Sequence, residues 1–141
     1  MTKILKIGVV LLMGGLVAGP VSTTASAATW HKGVPKAIRN KTYLMGKTKG
    51  DQFLGYVGYT FKNSKIYIAH SMDGGHLATH LKYKKTGAKA YYVKGHDTDS
   101  RDRLRIKIIS NKHIKVWDLD NGIYKGYIPY KYYGKNFPSL H

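Results

Sequence analysis

The sequence has no cysteine and no glutamate, and its seven acidic residues are all aspartate. Without cysteine there is no disulfide, no thiolate metal site and no thiol nucleophile, so the fold must rest on packing alone. Glutamate is a good helix former and aspartate a turn former, so their imbalance leans the chain away from helix. Long apolar stretches are also missing, apart from one run at residues 7–18. What remains is strand-forming and basic. Twelve tyrosines accompany many Ile, Val and Thr residues, and 24 Lys and Arg face the seven acids, a net charge of +17.

The N-terminal segment follows the order of a secretory signal peptide. Lys3 and Lys6 open it, the apolar run follows, and Ala25-Ser26-Ala27 supplies a small-residue cleavage site. The run is too short to span a bilayer permanently, and Ala25-Ser26-Ala27 argues against a retained anchor. Cleavage is expected after Ala27, with Ala28 the next choice; no cysteine is present to take the lipoprotein route. The expected organisation is a signal peptide over residues 1–27, an arm over 28–40 and one β-barrel domain over 41–141. A chain of this length buries about two-thirds of its unfolded surface, enough for a core. Without Lys3 and Lys6, 22 basic residues stand against seven acids, about +15. An exported protein of that charge is drawn to polyanions such as wall polymers, anionic headgroups, nucleic acid or acidic polysaccharide.

Residues 101–118 show the plan of the domain. Leu104, Ile106 and Ile108 alternate with Arg103, Arg105 and Lys107; after the Ser110-Asn111-Lys112 turn, Ile114 and Val116 alternate with Lys115 and Trp117. Period-2 alternation around a short polar turn predicts a hairpin with one apolar and one cationic face. Similar segments at 41–48, 52–62, 65–71, 76–84, 88–95 and 123–133 bring the expectation to about eight strands. Short turns join them, and no amphipathic helix exceeds a turn or two. The fold class expected is all-β, an antiparallel meander forming a closed or nearly closed barrel, with a two-sheet sandwich as the alternative. On 76–84 uninterrupted alternation puts Leu77, Thr79, Leu81 and Tyr83 on one face and His76, Ala78, His80, Lys82 and Lys84 on the other. Gly55 and Gly58 suggest a bulge or sharp bend. In the arm, Pro35 can start a short helical turn, and Trp30 is expected to plug a barrel end, with an exposed anchor as the alternative.

Two resemblances accompany this reading. The arm W-H-K-G-V-P-K-A-I-R-N (residues 30–40), with F-K-N-S-K-I-Y (61–67) and I-S-N-K-H-I-K-V-W (109–117), resembles small secreted proteins of lactic acid bacteria. That resemblance implies export and a shared fold but no activity. More distantly, the order of arm, first strand and hairpin meander is similar to lipocalin-like barrels. Asn40-Lys41-Thr42-Tyr43 lacks the Gly-x-Trp signature with which those begin.

Catalytic and metal chemistry find little footing. His76 and His80 on one strand face would stand about 13 Å apart, too far to share an ion. Asp97-Thr98-Asp99-Ser100-Arg101-Asp102 and Asp118-Leu119-Asp120-Asn121-Gly122 have the alternating oxygens of calcium loops, but neither has the closing bidentate glutamate. Arg101 and Arg103 can neutralise the first cluster, and aspartate is an ordinary turn residue. No motif places a Ser or Asp against a His for hydrolysis. No cofactor, metal or enzymatic activity is therefore expected.

The cationic faces are the candidate site. Lys82, Lys84 and Lys85 form one group; Arg103, Arg105 and Lys107 form another, joined across the hairpin by Lys115. Tyr130 and Tyr132 lie in a Lys-rich C-terminal stretch where rings could add stacking surface. The expectation is a secreted, non-enzymatic cationic barrel bound to an anionic cell-wall polymer or another extracellular polyanion, with no transmembrane anchor after cleavage and no specific nucleic acid. Acidification would add charge on the seven histidines and tighten the association. The alternatives are a lipocalin-like carrier of a small apolar ligand and a secreted hydrolase or nuclease.

Overall fold

The structure, a computed structural model, describes residues 28–45, 57–70, 74–120 and 125–137. The expected signal peptide lies outside these residues, as does Gly55. Nine strands are described: β1 (His31–Lys32), β2 (Lys41–Met45), β3 (Gly58–Phe61), β4 (Ile66–His70), β5 (Gly74–Gly87), β6 (Ala90–His96), β7 (Arg101–Ser110), β8 (His113–Asp118) and β9 (Ile128–Gly134). From β2 onward each strand pairs antiparallel with the next, and β9 returns to pair with β2, Tyr43 opposite Tyr132. The result is a closed eight-stranded barrel with β1 added against β5 at His31–Tyr83 and Lys32–Lys82. Closure removes the sheet edges that an exposed meander would leave. Among the described residues no helix is long and apolar enough to cross a membrane.

Alternation drives burial where the sequence shows it most clearly. On β7, Leu104 and Ile106 are buried while Arg103, Arg105 and Lys107 are exposed; on β8, Ile114 and Val116 are buried and Lys115 exposed. These side chains meet Tyr43, Phe61, Ile66, Ile68 and Val93 in one core. Each such side chain taken from water contributes roughly 1.5–3 kcal/mol. Rings fill the wider spaces: Tyr59 stacks on Phe61 at 5.9 Å and meets Tyr130 edge-on at 5.1 Å. Burial pushes the Tyr59 phenol well above its ordinary pKa, and Tyr130 and Asp118 add to the shift.

The arm closes one end. Pro35 precedes a 3-10 turn at Lys36–Ile38, which buries Val34 and Ile38 completely. Arg39 Nη2 donates to the Val34 carbonyl at 3.1 Å and the Asn40 amide donates to the Phe61 carbonyl at 2.7 Å, tying the arm to the barrel. Trp30, expected as the plug, is instead 37% exposed on the outside of the barrel. The two aliphatic residues that follow it in the chain do the plugging.

On β5 the expected alternation breaks. Ala78 and Leu81 are both buried, three residues apart. The register shifts between Thr79 and Lys82, and His80 between them takes φ +50°. This is a β-bulge, which adds a residue to one strand and changes which positions face inward. Before it His76 and Ala78 turn to the interior; after it Leu81 and Tyr83 do. His76 thus does not share a face with His80: its side chain, still 36% exposed, has Nε2 2.7 Å from Oδ1 of buried Asp102. Opposite the bulge stands Gly95, where a Cβ would lie 2.5 Å from Leu81 Cδ2 and 2.8 Å from the Thr79 carbonyl oxygen. Only glycine lets β6 approach so closely.

Candidate functional site

Strands β5 to β8 turn their second face outward, and register sets the side chains on it in rows. Lys84 lies opposite Tyr92, Tyr92 opposite Arg105, and Arg105 opposite Trp117. One step along, Lys82 lies opposite Lys94 and Lys94 opposite Arg103; Lys107 lies opposite Lys115. Like charges directly opposite on neighbouring strands repel. The six basic residues expected from the sequence, Lys82, Lys84, Arg103, Arg105, Lys107 and Lys115, all belong to this face.

Aromatic rings are set among the cations. Lys94 Nζ is 4.4 Å and Lys84 Nζ 5.1 Å from the centre of the Trp30 ring, which meets Tyr92 edge-on at 5.7 Å. The pairing of His31 with Tyr83 carries Trp30 to this position. Farther across, the Arg105 guanidinium is 5.3 Å from the Trp117 ring and Lys107 Nζ 4.3 Å from that of Tyr127, while Trp117 and Tyr127 meet edge-on at 5.8 Å. Each cation–ring contact contributes about 0.5–1 kcal/mol at an exposed site. A groove of about 600 Å³ runs over this part of the face, lined by Lys84, Tyr92, Arg103, Arg105, Lys107 and Tyr127 among others.

One carboxylate tempers the charge. Arg103 holds Asp120 through two nitrogens, Nη2 at 2.7 Å and Nε at 2.9 Å from Oδ1. Those bonds raise the guanidinium's pKa further above an already high value. Arg103 therefore does not neutralise the Asp97–Asp102 cluster, as its place in the sequence suggests; its partner comes from the loop after β8. Asp97 Oδ1 accepts from the Thr98 amide at 2.8 Å, the ordinary work of a turn aspartate.

Two expected residues are elsewhere. Tyr130 is 3% exposed and packs in the core on Tyr59, and Tyr132 leans edge-on against buried Tyr43 at 6.0 Å. Tyr130 points inward on β9, whereas Tyr132 stays 40% exposed at the β2–β9 seam, away from the cations of β5–β8. The rings that do join the cations are Trp30, Tyr92, Trp117 and Tyr127. For Tyr92 a signal existed, since it alternates with buried Val93 and shares parity with Lys94. Tyr127, which reaches the face from the loop before β9, belongs to the Lys-interleaved C-terminal stretch; for Trp30, which comes from the arm, no local pattern exists.

Fold and face together define a small closed antiparallel barrel with a cationic, ring-studded outer surface. No family model, curated protein or solved structure matches the chain.

Proposed function

We propose that this is a secreted, non-enzymatic barrel that binds an anionic polymer of the cell envelope, or another extracellular polyanion, across the outer face of β5–β8. The observation that carries the reading is the row Lys82, Lys94, Arg103, three cations aligned on adjacent strands. Only Arg103 of these has a carboxylate partner among the described residues. Setting like charges directly opposite one another costs the fold repulsion, which a chain of anions laid across the strands relieves. Exposed Trp30 and half-buried Trp117 offer flat apolar surface beside the charges, suited to the sugar or backbone carbons between anionic groups.

The test is sedimentation of the purified protein with cell walls over a range of salt, at pH 5 and pH 7. Counterion release makes such affinity fall steeply, by orders of magnitude between about 50 and 200 mM salt. The expected result is binding that salt reverses and acid strengthens. Binding indifferent to salt, or none at low salt, would overturn the reading.

A further inference from the structure

A second depression, of about 820 Å³, lies on the same face between the β5 bulge and the loop joining β6 to β7. His80, Lys82, Lys94, His96 and Arg101 line it, with Asp97 and Asp99 on the loop side. The imidazoles of His80 and His96 stack there, 4.4 Å between ring centres and 9° between planes. His80 holds its place in spite of a backbone conformation that glycine or asparagine adopts more readily. An observed outlier of this kind invites a functional explanation.

The hydrogen bonds around the bulge fix the state of the ring. Thr79 Oγ1 donates to the His96 carbonyl oxygen at 3.0 Å and lies 3.0 Å from His80 Nδ1. A hydroxyl has one proton, and the carbonyl has taken it, so Nδ1 of His80 is the donor in the second bond. The neutral ring therefore carries its hydrogen on Nδ1 and leaves Nε2 a bare lone pair. Nε2 can donate to an anion only after the ring takes up a proton. The groups around the ring pair are Lys82 of the same strand, Lys32 of β1, Lys94 of β6, Arg101 and Arg103 of β7, and Asp97 and Asp99 of the loop.

We propose that this cleft binds the phosphate group of a phosphodiester polymer, and that His80 takes up a proton as it does so. The assignment rests on the polyanion reading of the outer face and specifies the anion. Donors reach the cleft from three strands and include a guanidinium fork, ammonium groups and imidazoles. That arrangement suits the tetrahedrally disposed oxygens of phosphate better than the flat pair of a carboxylate. Phosphodiester oxygens stay ionised throughout the range in which imidazole titrates, so any pH dependence of binding belongs to the protein.

The experiment is calorimetric titration of the full-length folded protein with a glycerol phosphodiester oligomer and, separately, with polyaspartate of equal charge, at pH 7.5 and 5.5. The phosphodiester is expected to bind about tenfold tighter than polyaspartate at the lower pH, with net proton uptake seen when buffers of different ionisation enthalpy are compared. His80→Gly, which suits the positive φ, and His80→Asn, which tolerates it without titrating, should both collapse the ratio and abolish the uptake. Equal affinity for the two polymers, or a ratio that neither variant changes, would overturn the cleft assignment and leave the outer-face reading standing. Failure of both polymers to bind at low salt would overturn the two together.

Discussion

Tyr43 shows how one residue ties the barrel to its solution conditions. Its ring is fully buried between Phe61 and Tyr132, and its hydroxyl has no hydrogen-bond partner among the described residues. Burial, with a smaller contribution from Tyr132, lifts the phenol from its ordinary pKa of 10.0 to about 12. Below pH 10 the phenol is neutral in both folded and unfolded chains, and its contribution is fully present. As pH rises from 10 to about 12 the unfolded chain ionises first, so stability falls across that window. Tyr43→Phe should flatten this alkaline loss in denaturant titrations. Because the hydroxyl is unpaired, the same change should cost nothing near neutrality and can add up to about 1 kcal/mol.

At the scale of the element, β5 is where sequence and structure part. Leu77, Thr79, Leu81 and Tyr83 fit unbroken alternation so well that nothing in them announces a bulge. A bulge is usually marked by glycine; here the residue at positive φ is His80, and the glycine that permits the geometry, Gly95, is on the neighbouring strand. The β7–β8 hairpin was legible because Arg103 to Lys107 and Ile114 to Val116 alternate as the final faces do; Asp102, buried, and Ile109, exposed, are its exceptions. On β9 alternation separates buried Tyr130 from exposed Lys131 but fails beyond, where Lys131, Tyr132 and Tyr133 are all exposed. The bulge yields its own expectation. His80→Val puts a β-branched side chain at positive φ and should cost roughly 1–2 kcal/mol in chemical denaturation, whereas His80→Gly should leave the midpoint near or above that of the parent.

For the whole molecule, the meander and its cationic plan were readable because charge and period-2 patterning survive any choice of loop. The composition of the face was only half readable. Its cations alternate along single strands, but two of its four rings arrive from segments distant in sequence. Stability and binding should therefore respond in opposite directions to charge. Lys82→Gln removes a cation that lies opposite both Lys32 and Lys94 and should raise stability at low salt by a few tenths of a kcal/mol. It should also weaken wall binding and lower the slope of affinity against salt by about one unit. A parallel fall in both would mean that the row holds the barrel together.

The seam between β2 and β9 gives the molecule an order of events. The hairpins from β5 to β8 join neighbours in sequence and can form early, but the ring closes only when the last strand meets the first of the eight. A polypeptide stopped short of Ile128 would display two open edges, on β2 and on β8. Such edges recruit strands from other copies. Clipping near the C-terminal end should thus turn a self-contained solute into an adhesive one, whatever it does to the binding face.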